Sequence, residues 1–162
     1  MTAQTPPPAG APRTPVQVPP TPFTLRPLGV RIAVYGLLLG LGAVCAAVWV
    51  AFGAEVRAEF TIFQRSTLAF LGALALASGH ALGRSRVVVR DDGLTVVNGY
   101  RTHQVAWGDV VAVRMRRGAP WASLQREDGG VTSLMGIQNS DGARAETAVR
   151  QLRAVARARH AG

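Results

Sequence analysis

Two long apolar stretches dominate the alternation of hydrophobic and polar positions. From Ile32 to Ala54 the chain runs 23 residues without a charged side chain, and from Ser66 to Gly83 another 18. At 1.5 Å of rise per helical residue, the first stretch is about 34 Å long and spans a hydrocarbon core of about 30 Å. The second lengthens through Thr61, Ile62, Phe63 and Gln64 when Arg65 snorkels toward the interface. The pattern therefore predicts a two-helix transmembrane hairpin over residues 28–83, with spans at about 32–54 and 63–83 and a short external loop at 55–62. The first stretch is too long, and starts too far into the chain, to read as the short apolar core of a cleaved signal peptide. Small residues recur four apart, as Gly36 and Gly40 in the first span and as Ala69, Ala73, Ala77 and then Gly79, Gly83 in the second. Such spacing lets helix backbones approach closely in lipid, and packing within the hairpin is the simplest use of it. It leaves the oligomeric state open.

After Arg86 the pattern changes to short period-two segments separated by Gly and Asp, which predicts antiparallel sheet. Val87–Arg90 and Leu94–Asn98 flank the turn Asp91-Asp92-Gly93, and Asn98-Gly99 marks the next turn. Arg101–Trp107 and Val110–Arg116 follow; in the latter Val111, Val113 and Met115 alternate with Ala112, Arg114 and Arg116. Trp121–Gln125 and Val131–Leu134 pair across Glu127-Asp128-Gly129-Gly130. The last element is an amphipathic helix with Ala145, Val149, Leu152 and Ala156 on one face, Val155 beside them, and Arg150, Arg153 and Arg157 elsewhere. Ser140 or Asp141 can cap it, Glu146 complements its positive end, and Arg157, Arg159 and His160 its negative end. The expected fold class is a transmembrane hairpin plus a small α+β domain over residues 84–160, a curled antiparallel sheet closed by a C-terminal helix. Its length suffices for one modest core.

Charge orients this arrangement. All 18 basic residues are arginines, and the net charge is +9. The segment before the first span carries Arg13, Arg26 and Arg31, and the connection between spans balances Arg57 and Arg65 against Glu55 and Glu59. The part after the second span sets thirteen arginines against seven carboxylates. Arginine clusters near span ends stay on the cytoplasmic side, so the expectation is a multi-pass protein of the cell membrane with both termini cytoplasmic. Nine of the ten prolines fall between Pro6 and Pro27, which predicts a disordered, proline-rich tail over residues 1–24. The single cysteine, Cys45, has no disulfide partner and reads as a small apolar residue.

The run Gly93-Leu94-Thr95-Val96, then Val105-Ala106-Trp107-Gly108-Asp109-Val110, then an Arg-rich strand and one led by Trp121, resembles the bacterial PH-like domains of the low molecular weight protein antigen 6 family. Those proteins are similar to this one in setting hydrophobic segments before a small domain with a Trp-x-Asp-Val/Ile turn. The likeness covers roughly residues 66–136, with Trp107, Asp109, Val110 and Trp121 as its motif positions. It implies a bent antiparallel sheet with a closing helix. It does not imply a ligand, because fold and function are separable.

No phosphate-binding glycine loop, metal-spaced His or Cys cluster, or nucleophile with a base is evident, so the expectation is a protein with no catalytic residues, metal or cofactor. His80, the one ionisable group within a span, lies near the cytoplasmic interface and makes no proton pathway alone. Net positive charge suggests nucleic acid only weakly, since the spans account for much of the arginine excess and no recognition helix accompanies it. In alternating strands Trp107 and Trp121 read as core rather than base-stacking residues. The first hairpin, where PH domains that bind phosphoinositides resemble one another in placing basic residues, carries Asp91 and Asp92, which repel phosphate. The sequence therefore points to an interaction or scaffolding module on the membrane, with the lipid bilayer and an unnamed protein as partners. The alternative is a reader of anionic lipid headgroups through Arg114, Arg116 and Arg117 on the fourth strand and Arg150, Arg153 and Arg157 on the helix.

Overall fold

The computed structural model describes residues 19–160. The larger part of the expected disordered tail, residues 1–18, lies outside the described residues. Where the description begins, the chain already has a structural role: Phe23–Leu25 form a strand, β1, immediately before the first helix. Helix α1 covers Leu28–Ala51 and helix α3 Ile62–Arg84, about 36 Å and 34 Å long, joined through a short helix α2, Ala54–Glu59. Both long helices are apolar enough to cross a membrane by length and composition. The expected loop at 55–62 is thus one and a half turns of helix, and a capping box between Thr61 and Gln64 restarts α3.

The glycines at which the two long helices approach closely are those of α3. A Cβ built on Gly79 would meet Leu38 Cδ1 at 2.4 Å, and one on Gly83 would meet the Tyr35 hydroxyl at 2.4 Å. Gly36 and Gly40 have open space where a Cβ would stand, so the first-span pair takes no part in hairpin packing. At the end away from the domain, Phe60 meets Trp49 edge-on with centroids 5.3 Å apart.

Beyond α3 follow strands β2 (Arg86–Val89), β3 (Gly93–Asn98), β4 (Arg101–Ala106), β5 (Val110–Arg114), β6 (Trp121–Arg126) and β7 (Val131–Gln138), then helix α4 (Ala143–His160). The expected single curled sheet is instead two open antiparallel sheets, one in the order β1-β2-β3-β4 and the other β5-β6-β7, with the C-terminal helix packed on their core. A one-turn 3-10 helix at Trp107–Asp109 interrupts the chain between β4 and β5, so no ladder joins the sheets there. They meet instead where β7 packs on β2 and β3. Gly136 permits this, since any Cβ there would lie 2.8 Å from the backbone of Arg86 and Val87. The Asn98 side chain ties the sheets beside it, donating from Nδ2 to the Ser133 carbonyl (2.6 Å) and accepting at Oδ1 from the Met135 N–H (3.1 Å).

The core lies between the sheets and α4. Val87, Val89, Val96, Leu124, Leu134, Ile137 and Leu152 are completely or almost completely buried, each contributing about 1.5–3 kcal/mol of transfer free energy. Helix α4 buries Ala145, Ala148, Val149, Leu152, Val155 and Ala156, the face expected from the spacing. Phe23 and Leu25 of β1 pack against the same core from the edge of the first sheet, in register with Val89 and Val87. The domain is therefore discontinuous, with one strand preceding the helical hairpin and six following it.

Candidate functional site

The strand directions give the domain two distinct ends. At the end away from the hairpin, Trp107 is buried and its indole Nε1–H donates to the Arg90 carbonyl at 3.0 Å, fixing the β4–β5 turn under the β2–β3 turn. The Glu127 N–H donates to the Asp109 carbonyl at 2.9 Å, so the contribution of Asp109 to this turn comes through its backbone. Val110 is buried, and its carbonyl oxygen lies 2.9 Å from His160 Nε2 at the end of α4. Asp91 accepts from the Thr21 hydroxyl and from the Arg159 guanidinium, and these two partners, in that order, hold its carboxyl below the ordinary carboxylate value. The acidic residues Asp91, Asp92, Asp109, Glu127 and Asp128 all belong to turns at this end.

The opposite end rests on the hairpin. The Asp141 carboxylate accepts from the N–H groups of Leu28 (3.1 Å) and Gly29 (2.8 Å), where Pro27 supplies no side-chain cap. Asp141, expected to cap α4, thus caps α1. At the other helix, the Ser85 hydroxyl donates to the Ala81 carbonyl (3.2 Å) and accepts from the Gly99 N–H (3.0 Å). The Tyr100 hydroxyl donates to the Ala77 carbonyl at 2.9 Å. The His80 ring stacks on Tyr100 with centroids 6.1 Å apart, and the Arg84 guanidinium lies 5.4 Å from the Tyr100 centroid. The turn before β6 belongs to this end too, through the Asn139 N–H donating to the Pro120 carbonyl at 2.9 Å. Arg26, Arg31, Arg84, Arg86, Arg101, Arg116, Arg117 and Arg144 occupy segments at or beside these contacts. The domain is accordingly basic toward the helices, whereas the carboxylates at the far end are offset by Arg90, Arg126, Arg157 and Arg159.

The six arginines singled out from sequence divide between these regions. Arg114, Arg153 and Arg157 line one groove of about 280 Å³ between β5 and α4, with Val111, Ala112 and His160. Arg153 is fixed there, its Nε–H donating to the Val113 carbonyl at 2.7 Å. Arg150 is exposed and donates to Thr147 on its own helix at 2.9 Å. Arg116 and Arg117 follow β5 in the turn at the helix-facing end. Trp121 is half-buried at the start of β6, opposite Gln138 at a register shift.

Tyr100 and Asp141 were not singled out as site residues. Tyr100 sits in a turn whose sequence, Asn-Gly-Tyr-Arg, signals only a hairpin, and its use becomes visible once α3 is seen against it. Among the described residues no three His, Cys, Asp or Glu side chains gather as a metal site.

No curated protein and no solved structure matches the chain. Residues 84–155, which hold β2 to β7 and most of α4, match the family model described as the bacterial PH domain, so this part of the chain is similar to that family.

Proposed function

We propose that the chain is a noncatalytic integral membrane protein in which α1 and α3 cross the bilayer and hold the PH-like domain against its cytoplasmic face as an interaction or scaffolding module. The observation that carries this reading is the pairing of β1 with β2. A strand that precedes the hairpin is hydrogen-bonded into the sheet that follows it, so both helix ends that meet the domain lie on one side of the bilayer. The arginines flanking those ends, Arg26, Arg31, Arg84 and Arg86, give that side its cytoplasmic character. Available surfaces for a protein partner are the β5–α4 groove and β4, an edge strand with Arg101–Gln104 exposed.

Labelling of intact cells with a membrane-impermeant maleimide tests the orientation. In a Cys45→Ser background, Glu59→Cys between the spans is expected to react, and Ser123→Cys in the domain only after the cells are opened. Labelling of Ser123→Cys in intact cells overturns the reading.

A further inference from the structure

The outer face of the hairpin carries an apolar cleft that no protein side chain fills. It has two adjoining parts of about 610 and 630 Å³, which share Leu38, Gly42 and Leu76. The larger runs along α1 and α3 to Phe52 and Phe60; the smaller ends at Tyr35 and His80, beside the domain. Gly42 and Gly72 form its floor, each with nothing within 4 Å of where a Cβ would stand, so the cleft is a slot rather than a flat helix face.

Its domain end has a different chemistry. His80, which lines the cleft, stacks on Tyr100, and the Arg84 guanidinium also lies over that ring. Tyr100 is anchored through its hydroxyl to Ala77, so ring and guanidinium are placed relative to the mouth of the slot. Arg84 has no ion pair among the described residues; the ion pairs join Arg126 to Asp128 and Arg159 to Asp91. An apolar slot a span long that ends at His80, with the unneutralised Arg84 one helical turn further along α3, has the charge and shape complement of one molecule: a lipid with an acyl chain and an anionic headgroup. A second copy of this chain fits less well, because in the same orientation it brings its own Arg84 to the same depth.

Accepting that the hairpin spans the bilayer, we infer that this cleft binds an anionic phospholipid, with an acyl chain lying over Gly42 and Gly72 and the phosphate at Arg84 beside Tyr100. The site is distinct from the arginines of β5 and α4. It makes lipid part of the seat on which the domain rests.

The test uses the full chain in vesicles of equal phosphatidylcholine and phosphatidylglycerol, with a photoactivatable diazirine midway along one acyl chain of either lipid. Phosphatidylglycerol adducts are expected on Leu38, Gly42 and Leu76, in excess over phosphatidylcholine adducts. Arg84→Gln should lower that excess about fivefold, the effect of one guanidinium near a charged surface, and Arg84→Lys should retain most of it. Gly42→Leu should displace adducts of both lipids from the cleft. Equal labelling by the two lipids, adducts spread evenly around both helices, or a second copy crosslinked in the cleft overturns the site. Extraction of the protein by alkaline carbonate overturns the membrane reading and the site with it, whereas membrane-retained protein without cleft labelling overturns the site alone.

Discussion

The carboxylate of Asp141 closes the first turn of a helix that begins at Leu28, with Gly29 N–H 2.8 Å from Oδ1. The two residues are 112 positions apart. This is a helix cap supplied by another element, and it fixes where α1 enters the domain. Asp141→Ala is expected to cost about 1 kcal/mol, the usual value of an N-cap, measured as a lowered unfolding midpoint of the full chain in detergent. Asp141→Asn keeps an acceptor and should recover part of the loss. Equal stability of all three would show that the cap contributes nothing.

The pairing of β1 with β2 leads to a second prediction. Leu25 is half-buried against the core and lies opposite Val87. Leu25→Ala should destabilise the domain by about 1 to 2 kcal/mol, less than at a fully buried leucine. Hydrogen exchange should quicken in β2, whose edge β1 covers, more than in β6 within the other sheet. Unchanged exchange at Val87 and Val89 would mean that the strand is dispensable.

Trp107 offers a third test, at the turn between β4 and β5. The indole is almost fully buried and its Nε1–H reaches the Arg90 carbonyl at 3.0 Å. Trp107→Phe keeps most of the apolar contact but leaves that carbonyl without its donor, so a loss of about 1 to 3 kcal/mol is expected in denaturant unfolding. A loss near zero would indicate that water replaces the bond.

The elements most legible in the sequence are those whose pattern is local. Ala145, Val149, Leu152 and Ala156 declared the buried face of α4 through their spacing, and Asp91-Asp92-Gly93 and Asn98-Gly99 declared two turns. β1 was illegible because three residues among prolines show no period, and their partner, β2, lies more than sixty positions away. The strand at Val131 extends to Gln138, beyond Leu134, because Asn98 and Pro120 supply partners for Met135 and Asn139 that no neighbouring residue announces. Asp141 carried a correct local signal with the wrong target. A carboxylate before a helix reads as its cap, yet tertiary packing presented it with the free N–H groups of α1. The candidate site divided in the same way: residue types and net charge drew attention to arginine, but only the strand directions show which arginines lie toward the hairpin.

Asp91 makes the acid limb of stability testable. Its carboxyl is held below the ordinary value, first by the Thr21 hydroxyl and then by Arg159. The unfolded chain therefore binds the proton more readily than the folded one. The contribution is fully present above the unfolded carboxylate pKa of about 4 and is lost as pH falls through the lower folded value. Asp91→Asn should lower the unfolding midpoint at neutral pH, and the difference from the unaltered chain should shrink as the solution is acidified below about pH 4. A difference that stays constant through that range would exclude Asp91 as a source of the acid dependence.

The glycines of the hairpin separate packing from mere composition. Gly79 and Gly83 face α1 so closely that any side chain meets Leu38, Val34 or Tyr35, while Gly36 faces open space. All three lie in helices of similar length and in the same small-residue spacing, so helix propensity affects them alike. Gly79→Leu must push the helices apart or force Leu38 from its rotamer, a cost of about 1–3 kcal/mol. Gly36→Leu adds apolar surface where nothing obstructs it and should fall within about 0.5 kcal/mol of the unaltered chain. Since Tyr100 and Ser85 bind the last turns of α3, displacement by Gly79→Leu should also loosen the β3–β4 turn, visible as faster exchange at Gly99. If Gly36→Leu proves the more damaging, the face it occupies is covered in the native protein, and the helix pair alone is not the packing unit.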